Sequence, residues 1–249
     1  MRKFTVTIIT KNEEQNIARC LESVKEVADE IVVVDSGSTD KTEAICKSFN
    51  ANFVFRMWEG YSTARNHAAA LATNDWILSL DADEALSEEL KKSILQQKQS
   101  GNLSTCSFKR LTNYCGKWIH HCGWYPDVKV RMYDRTVLKW SGMIHEELLP
   151  KPETVVLLQG DLLHFSYYTI SEHIQQADRF TTLTATAAYE KGNRSNVLKI
   201  IFSPVVKFIK SYFFQLGCLD GFYGFVVCKI SAQATFYKYV KLRMLQRKK

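Results

Sequence analysis

Two hydrophobic periods alternate along the first 83 residues. Residues 4–9 form a β-rich apolar run. Over residues 13–27 the apolar side chains Ile17, Leu21, Val24 and Ala28 recur at helical spacing. Asn12 stands where a helix N-cap would, and Glu13 and Glu14 suit the positive end of the helix dipole. Residues 31–34 are continuously apolar, as in a strand covered on both faces. The loop Asp35-Ser36-Gly37-Ser38-Thr39-Asp40 leads into a second helix over 41–49. A third strand follows at 52–55, an alanine-rich helix at 63–72, and a fourth strand at 76–80 that runs into Asp81-Ala82-Asp83.

Strands alternating with helices predict an α/β fold with a parallel sheet and right-handed crossovers. Ligands of such sheets bind beyond the carboxyl ends of the strands. Here those ends carry Thr10, Asn12, Glu13, Asp35, Ser36, Asp81 and Asp83. A helix is predicted over 87–99, then strands joined by long loops rich in aromatics and histidine over 104–165. A further helix spans 171–190 with Ser171 as its cap, and a basic, aromatic tail begins at Asn193. No internal repeat interrupts this order.

Charge sharpens the picture of the tail. The whole chain carries a formal +7, but residues 191–249 hold 12 basic residues and one acid, so they carry +11 and the first 190 residues carry −4. The partner of the tail should be anionic. No uninterrupted apolar run reaches the ~20 residues that span a bilayer, and the mixture of aromatics with Lys207 and Lys210 fits helices lying on an anionic membrane surface. A packing or dimerisation helix is the competing reading, and no nucleic-acid motif is recognisable. The seven cysteines are odd in number and scattered, which does not form a disulfide framework. With no apolar leader near Arg2 and Lys3, a cytoplasmic protein is expected, peripheral on the inner face of the membrane.

Asp81-Ala82-Asp83 after an apolar strand is the strongest chemical signal. Two such carboxylates can hold a hard cation such as Mg²⁺ or Mn²⁺, or one can hold the metal and the other a donor sugar or ribose. Asp35 can accept from ribose hydroxyls or a base N–H, or cap the helix entry. Asp40 is better read as that cap. Arg65 and Asn66, in the helix before the Asp-Ala-Asp strand, sit where an arginine can reach a diphosphate or orient an aspartate, unless they lie on a solvated face. Cys115, His120, His121 and Cys122 do not match the usual zinc spacing. This loop reads instead as an acceptor-facing one, in which Trp118, Trp124 and Tyr125 offer faces to a sugar ring.

Four segments in this order carry a family resemblance: Thr10-Lys11-Asn12-Glu13-Glu14, Val34-Asp35-Ser36-Gly37-Ser38-Thr39-Asp40, Ala64-Arg65-Asn66 and Asp81-Ala82-Asp83. Together they resemble glycosyltransferase family 2. The continuation through Gly116-Lys117-Trp118, Gly123-Trp124-Tyr125-Pro126-Asp127, Arg131 and Ile144-His145-Glu146 resembles the branch of lipopolysaccharide-core β-1,4-glucosyltransferases. The resemblance implies a GT-A fold: a Rossmann-like, mostly parallel central sheet flanked by helices, here with a C-terminal helical extension. It implies residues 1–100 as the nucleotide-sugar half, 101–190 as the acceptor half and 191–249 as the tail. It also implies a nucleotide-diphosphate sugar, UDP-glucose first, with inversion at the anomeric carbon onto a glycan or glycolipid acceptor. By the same resemblance Asp35 contacts the nucleotide, Asp83 holds Mn²⁺ or Mg²⁺, and His164, after a strand at 155–163, completes the metal shell.

An inverting transferase needs a general base on the face opposite the leaving group. Glu146 is the candidate, with Glu147 and His145 as rivals. Two other functions deserve comparison. A sugar-nucleotide-forming nucleotidyltransferase also uses carboxylate-bound metal, but carries a glycine-rich basic loop after its first strand, and residues 10–14 contain no glycine. A non-catalytic membrane-surface scaffold would have no need of such polar groups at the strand ends.

Overall fold

The structure, a computed structural model, describes residues 2–101, 103–142 and 146–247. The predicted βα series is present as β1 (Phe4–Thr10), α1 (Ile17–Val24), β2 (Glu30–Asp35), α2 (Thr42–Ser48), β3 (Asn52–Phe55), α3 (Tyr61–Leu71) and β4 (Trp76–Asp81). β5 (Glu84–Leu86), α4 (Glu88–Ser100), β6 (Cys106–Tyr114), β7 (Lys117–Ile119), β8 (Asp127–Asp134), β9 (Lys139–Ser141), β10 (Glu147–Leu149) and β11 (Val156–Tyr167) follow. The chain ends in α5 (Ile170–Glu190), α6 (Val197–Ile209) and α7 (Gly221–Arg247), the last two joined by a π turn (Lys210–Phe214) and a 3₁₀ turn (Gly217–Asp220). The α/β class and the C-terminal helical extension are as expected.

The main sheet has the order β3-β2-β1-β4-β8-β6-β11-β5, with β7 on the free stretch of β6. Its first four strands are parallel. From β8 onward the pairings described are antiparallel, so the sheet is mixed. The chain winds outward from β1 through β2 to β3, then returns to the other side of β1 as β4. That reversal leaves a crevice at the carboxyl ends of β1 and β4, at Thr10 and Asp81. Every residue of β1 is buried, the alternating Thr5 and Thr7 included, so both faces of the strand are covered.

By compactness the chain forms two units, one of the residues up to Arg110 with Asp127–Phe165, the other of Leu111–Pro126 with the chain from Ser166 onward. The core of the first unit packs Phe4, Ile8, Leu21 and Leu80 with Ile94 and Phe108. The second unit has its own small core of Tyr114, Ile119, Cys122, Val227 and Cys228.

Three local expectations are corrected. The first helix starts at Ile17, because Asn12 has φ +55° and residues 13–16 make a turn closed on the Glu13 carbonyl. The Asn12 side chain instead accepts from Thr39 N–H at 2.8 Å, tying the first loop to the second. Thr169, not Ser171, caps α5, in a capping box with Glu172. His164 lies inside β11, because the β5 ladder runs on through His164 opposite Glu84.

The N-terminus of α4 docks on β11 through Ser87, whose hydroxyl accepts from Leu90 N–H at 3.2 Å and Asp161 N–H at 3.0 Å. Gly160, at φ +90°, permits this approach: a Cβ there would lie 2.3 Å from the Leu90 nitrogen. Gly160→Ala should therefore cost on the order of 3 kcal/mol, from strain and overpacking together. Urea unfolding checks this, and an unchanged midpoint would remove the close-approach account.

Candidate functional site

β4 delivers Asp81 to the crevice, and α3, which precedes it, delivers Arg65. Arg65 is 3% exposed. Its Nη2 donates to Asp81 Oδ1 at 2.6 Å, its Nη1 to Ser79 Oγ at 3.0 Å and its Nε to Glu146 Oε2 at 3.1 Å. The Trp140 ring lies 5.1 Å from the guanidinium carbon. The neighbouring Asn66 pairs with both backbone groups of Trp140, donating at 2.8 Å and accepting at 2.9 Å, and so holds β9 against α3. The sequence read Arg65 either as orienting an aspartate or as reaching a diphosphate; in the structure it orients Asp81.

A second arginine completes the clamp. Arg131 on β8 donates through Nη2 to Asp81 Oδ2 at 2.9 Å and to Glu84 Oε1 at 2.5 Å. Glu84 is 1% exposed, its other oxygen accepts from Asp81 N–H at 3.0 Å, and Arg110 approaches it at 3.6 Å. Sequence reasoning missed Glu84, Arg110 and Ser79. The signal for Glu84 was the acidic stretch Asp81-Ala82-Asp83-Glu84; nothing local marked Arg110. Burial pushes the Asp81 carboxyl up, but the Arg65 and Arg131 guanidiniums outweigh it and hold the group well below the usual carboxylate range.

Asp83 is placed differently. Its ion partner among the described residues is His164, with Nε2 3.1 Å from Oδ2. The contact is built by the sheet: β5 pairs with β11, and Phe165 N–H donates to the Asp83 carbonyl at 2.9 Å. No group of three potential metal ligands occurs among the described residues. An oxygen and a nitrogen 3.1 Å apart nonetheless fit two adjacent positions of an octahedral shell, which are about 3 Å apart for bonds of about 2.1 Å. Mg²⁺ and Mn²⁺ typically take one or two protein ligands and complete the shell with water and phosphate, so this donor pair fits such a cation.

Glu13 faces the same acidic edge. Its carboxyl is pushed up to about 7, first by burial and further by the charges of Asp83, Asp40 and Asp81, against a 2.8 Å hydrogen bond from Asn16. Asp35 accepts from Gly37 N–H and Ser38 N–H through Oδ2, both at 2.8 Å, so its carboxylate organises its own loop. Asp40 stands one residue before the α2 N-cap Lys41 and accepts from the Thr42 N–H and hydroxyl, holding the helix entry without being its cap residue. Ser36 N–H donates to the Thr10 carbonyl at 3.0 Å, and the buried Thr10 hydroxyl has no partner among the described residues.

The remaining candidates separate. Glu146 joins the Arg65 clamp, whereas Glu147 is exposed, 3.9 Å from Lys151. His145 lies outside the described residues. Trp124 belongs to the second compact unit, edge-on to Tyr114 and His173 in a packed aromatic group. In that unit Cys122 lies with Asp220, and His121 donates to Asp220 through its backbone at 2.8 Å, which gives the cysteine–histidine loop a structural partner.

Comparison with known proteins gives a consistent result. The family model for glycosyl transferase family 2 matches residues 5–146. An uncharacterized glycosyltransferase of Rickettsia typhi is 31% identical over 260 residues, covering all of this chain and 89% of the relative. The lipopolysaccharide core biosynthesis glycosyltransferase LpsC of Rhizobium meliloti is 28% identical over 94% of this chain and 90% of its own length. Among solved structures, S. aureus TarS aligns with a TM-score of 0.46 and 16% identity, over 73% of this chain and 39% of that one.

Two predictions follow from the charges. Arg131→Met leaves the buried Glu84 without its closest partner and should destabilise the fold by about 3–5 kcal/mol; chemical unfolding measures it, and a loss below about 1 kcal/mol would show the pair to be dispensable. For Glu13 the folded pKa, about 7, lies above the ordinary glutamate value of 4.5, so the folded chain retains a proton that the unfolded chain has released. This group's contribution to stability therefore falls as pH rises from 4.5 through about 7. With chelator present, Glu13→Gln should raise Tm over wild type more at about pH 8 than at about pH 5. An equal difference at both would contradict the raised pKa.

Proposed function

Because the chain belongs to glycosyl transferase family 2, we propose that it is an inverting, metal-dependent hexosyltransferase using a UDP-sugar, UDP-glucose first. The acceptor is a lipid-linked or lipopolysaccharide-core glycan. The observation that carries this reading is the division of labour between two aspartates two residues apart. Asp81 is neutralised by Arg65 and Arg131, while Asp83 has the His164 imidazole as its ion partner among the described residues and is left to meet a cation.

In this reading Asp83 and His164 hold Mn²⁺ or Mg²⁺, which neutralises charge on the departing nucleotide diphosphate when bound. Asp81, fixed by two guanidiniums, accepts from donor hydroxyls without having to reorganise. The loops carrying Thr10, Asn12, Glu13, Asp35 and Ser36 flank the nucleotide, which fits their place at the ends of β1 and β2. Glu146 takes the proton of the acceptor hydroxyl as its oxygen bonds to the anomeric carbon and the bond to the diphosphate oxygen breaks. Arg65 touches both Asp81 and Glu146, so one side chain links the donor side to the base. The functional halves are residues 1–100 for the donor and 101–190 for the acceptor, with Trp124 on the acceptor side. LpsC, by its name, acts in lipopolysaccharide core biosynthesis, which supports the acceptor class.

Residues 191–249 attach the enzyme to an anionic membrane surface. Their +11 charge supports this. No helix among the described residues is long and apolar enough to cross a membrane.

The test is nucleotide release from a panel of UDP- and GDP-sugars, with and without Mn²⁺. One UDP-sugar should be turned over with metal, and Asp83→Ala should reduce the rate by at least ~100-fold. Turnover indifferent to metal and to Asp83 would overturn the metal assignment. Glu146→Gln should keep donor binding and lose transfer by ~10²–10⁴-fold; full transfer would remove Glu146 as the base.

A further inference from the structure

The helix α6 is apolar and none of its residues is buried. Leu198, Phe202, Val205, Val206 and Ile209 recur at helical spacing and stay open, with Phe202 59% and Val206 61% exposed. Phe214 in the following π turn is 80% exposed. An isolated exposed leucine needs no explanation, but a contiguous apolar stripe along a whole helix does. Beside it α6 and α7 enclose an apolar groove of about 570 Å³, a size typical of ligand sites. Ile201, Pro204, Val205 and Phe208 line one wall, Ala232 and Phe236 the other, and Lys229, Gln233 and Tyr237 add polar groups to it.

The surroundings are one-signed. Lys199, Lys207 and Lys210 accompany α6 and its turn, and Lys229 follows on α7. From residue 191 to 249 the single carboxylate is Asp220. It is 5% exposed and engaged by the backbone and ring of His121, so it offers no compensating negative charge at the surface. A second copy of this chain would bring the same cations to the same face. An anionic lipid surface supplies the opposite charge and the apolar phase together.

Building on the membrane attachment proposed above, we propose that the α6–α7 groove binds a hydrocarbon chain of an anionic bilayer lipid, with the apolar stripe of α6 in the same membrane surface. Lys229 lies where it meets the headgroup, and Phe202 and Phe214 enter the interfacial layer. The groove is then a lipid site as well as an anchor.

Two measurements on the full chain test this. In the first, the protein is sedimented with vesicles of equal parts phosphatidylglycerol and phosphatidylcholine, or of phosphatidylcholine alone. In the second, it is titrated with lysophosphatidylglycerol and with lysophosphatidylcholine, each below its micelle concentration. The mixed vesicles should bind at least ~10-fold more strongly than the neutral ones. One equivalent of lysophosphatidylglycerol should bind, and Val205→Glu should weaken it at least ~10-fold. Lys229→Glu should lower the preference for the anionic lysolipid over the neutral one. Val205 is exposed, so the variant should keep the wild-type melting profile, and Asp83→Ala should bind both lipids as wild type does. Vesicle binding with no lysolipid site would overturn the groove and leave surface attachment standing. Failure of both overturns attachment as well. A concentration-dependent dimer abolished by Val205→Glu would assign the face to a second copy. Donor turnover, measured separately, does not depend on any of these outcomes.

Discussion

The first compact unit is organised around a buried charge balance. Asp81 and Glu84 are brought within 3 Å of the Arg131 guanidinium, and Arg65 reaches Asp81 from the other side. Desolvation penalises an unpaired buried charge far more than folding yields, so each carboxylate needs its arginine. The arginines come from α3 and β8, so the charges also fix where these elements lie against β4 and β5. Core packing brings the same elements together, and the ion pairs select the geometry in which every charge is matched.

This constraint has a chemical consequence. Two aspartates separated by one alanine end in different electrostatic states. Asp81 points into the arginine clamp and is held ionised. Asp83, on the far side of the turn, meets a histidine and the raised carboxyl of Glu13. A rigid, matched carboxylate suits orientation of hydroxyl groups, whereas a weakly matched one beside an imidazole suits a cation. In the proposed reading the short motif acquires two roles from its surroundings, with little contribution from its own sequence.

The second compact unit follows another logic. Its core is small and aromatic, with Tyr114, Trp124, Tyr167 and His173 in edge and tilted contacts. Gly224 lets α7 approach the 3₁₀ turn so closely that a Cβ would lie 2.0 Å from the Gly217 carbonyl. While α7 packs against α5 and α6, the outer face of α6 remains uncovered. Burial of that face has to come from outside the described residues.

Sequence alone determined the βα series, the three strand ends that carry polar groups and the charge of the tail. Each is a local property: hydrophobic period, turn composition or residue count. Local reading failed where a side chain had two possible partners. Asn12 has the chemistry of a helix cap, yet it bonds across to Thr39, and Ser171 lost its cap to Thr169, whose backbone is extended and has Glu172 three residues on. The site itself was half legible. Asp81, Asp83, Arg65 and Arg131 stood in recognisable segments, while Glu84 and Arg110 carried no such mark. Only the tertiary structure decided that Arg65 meets Glu146 and that His164 meets Asp83, each pair 81 positions apart. Those encounters depend on strand order and register, and a shift of one residue would turn His164 to the opposite face of the sheet.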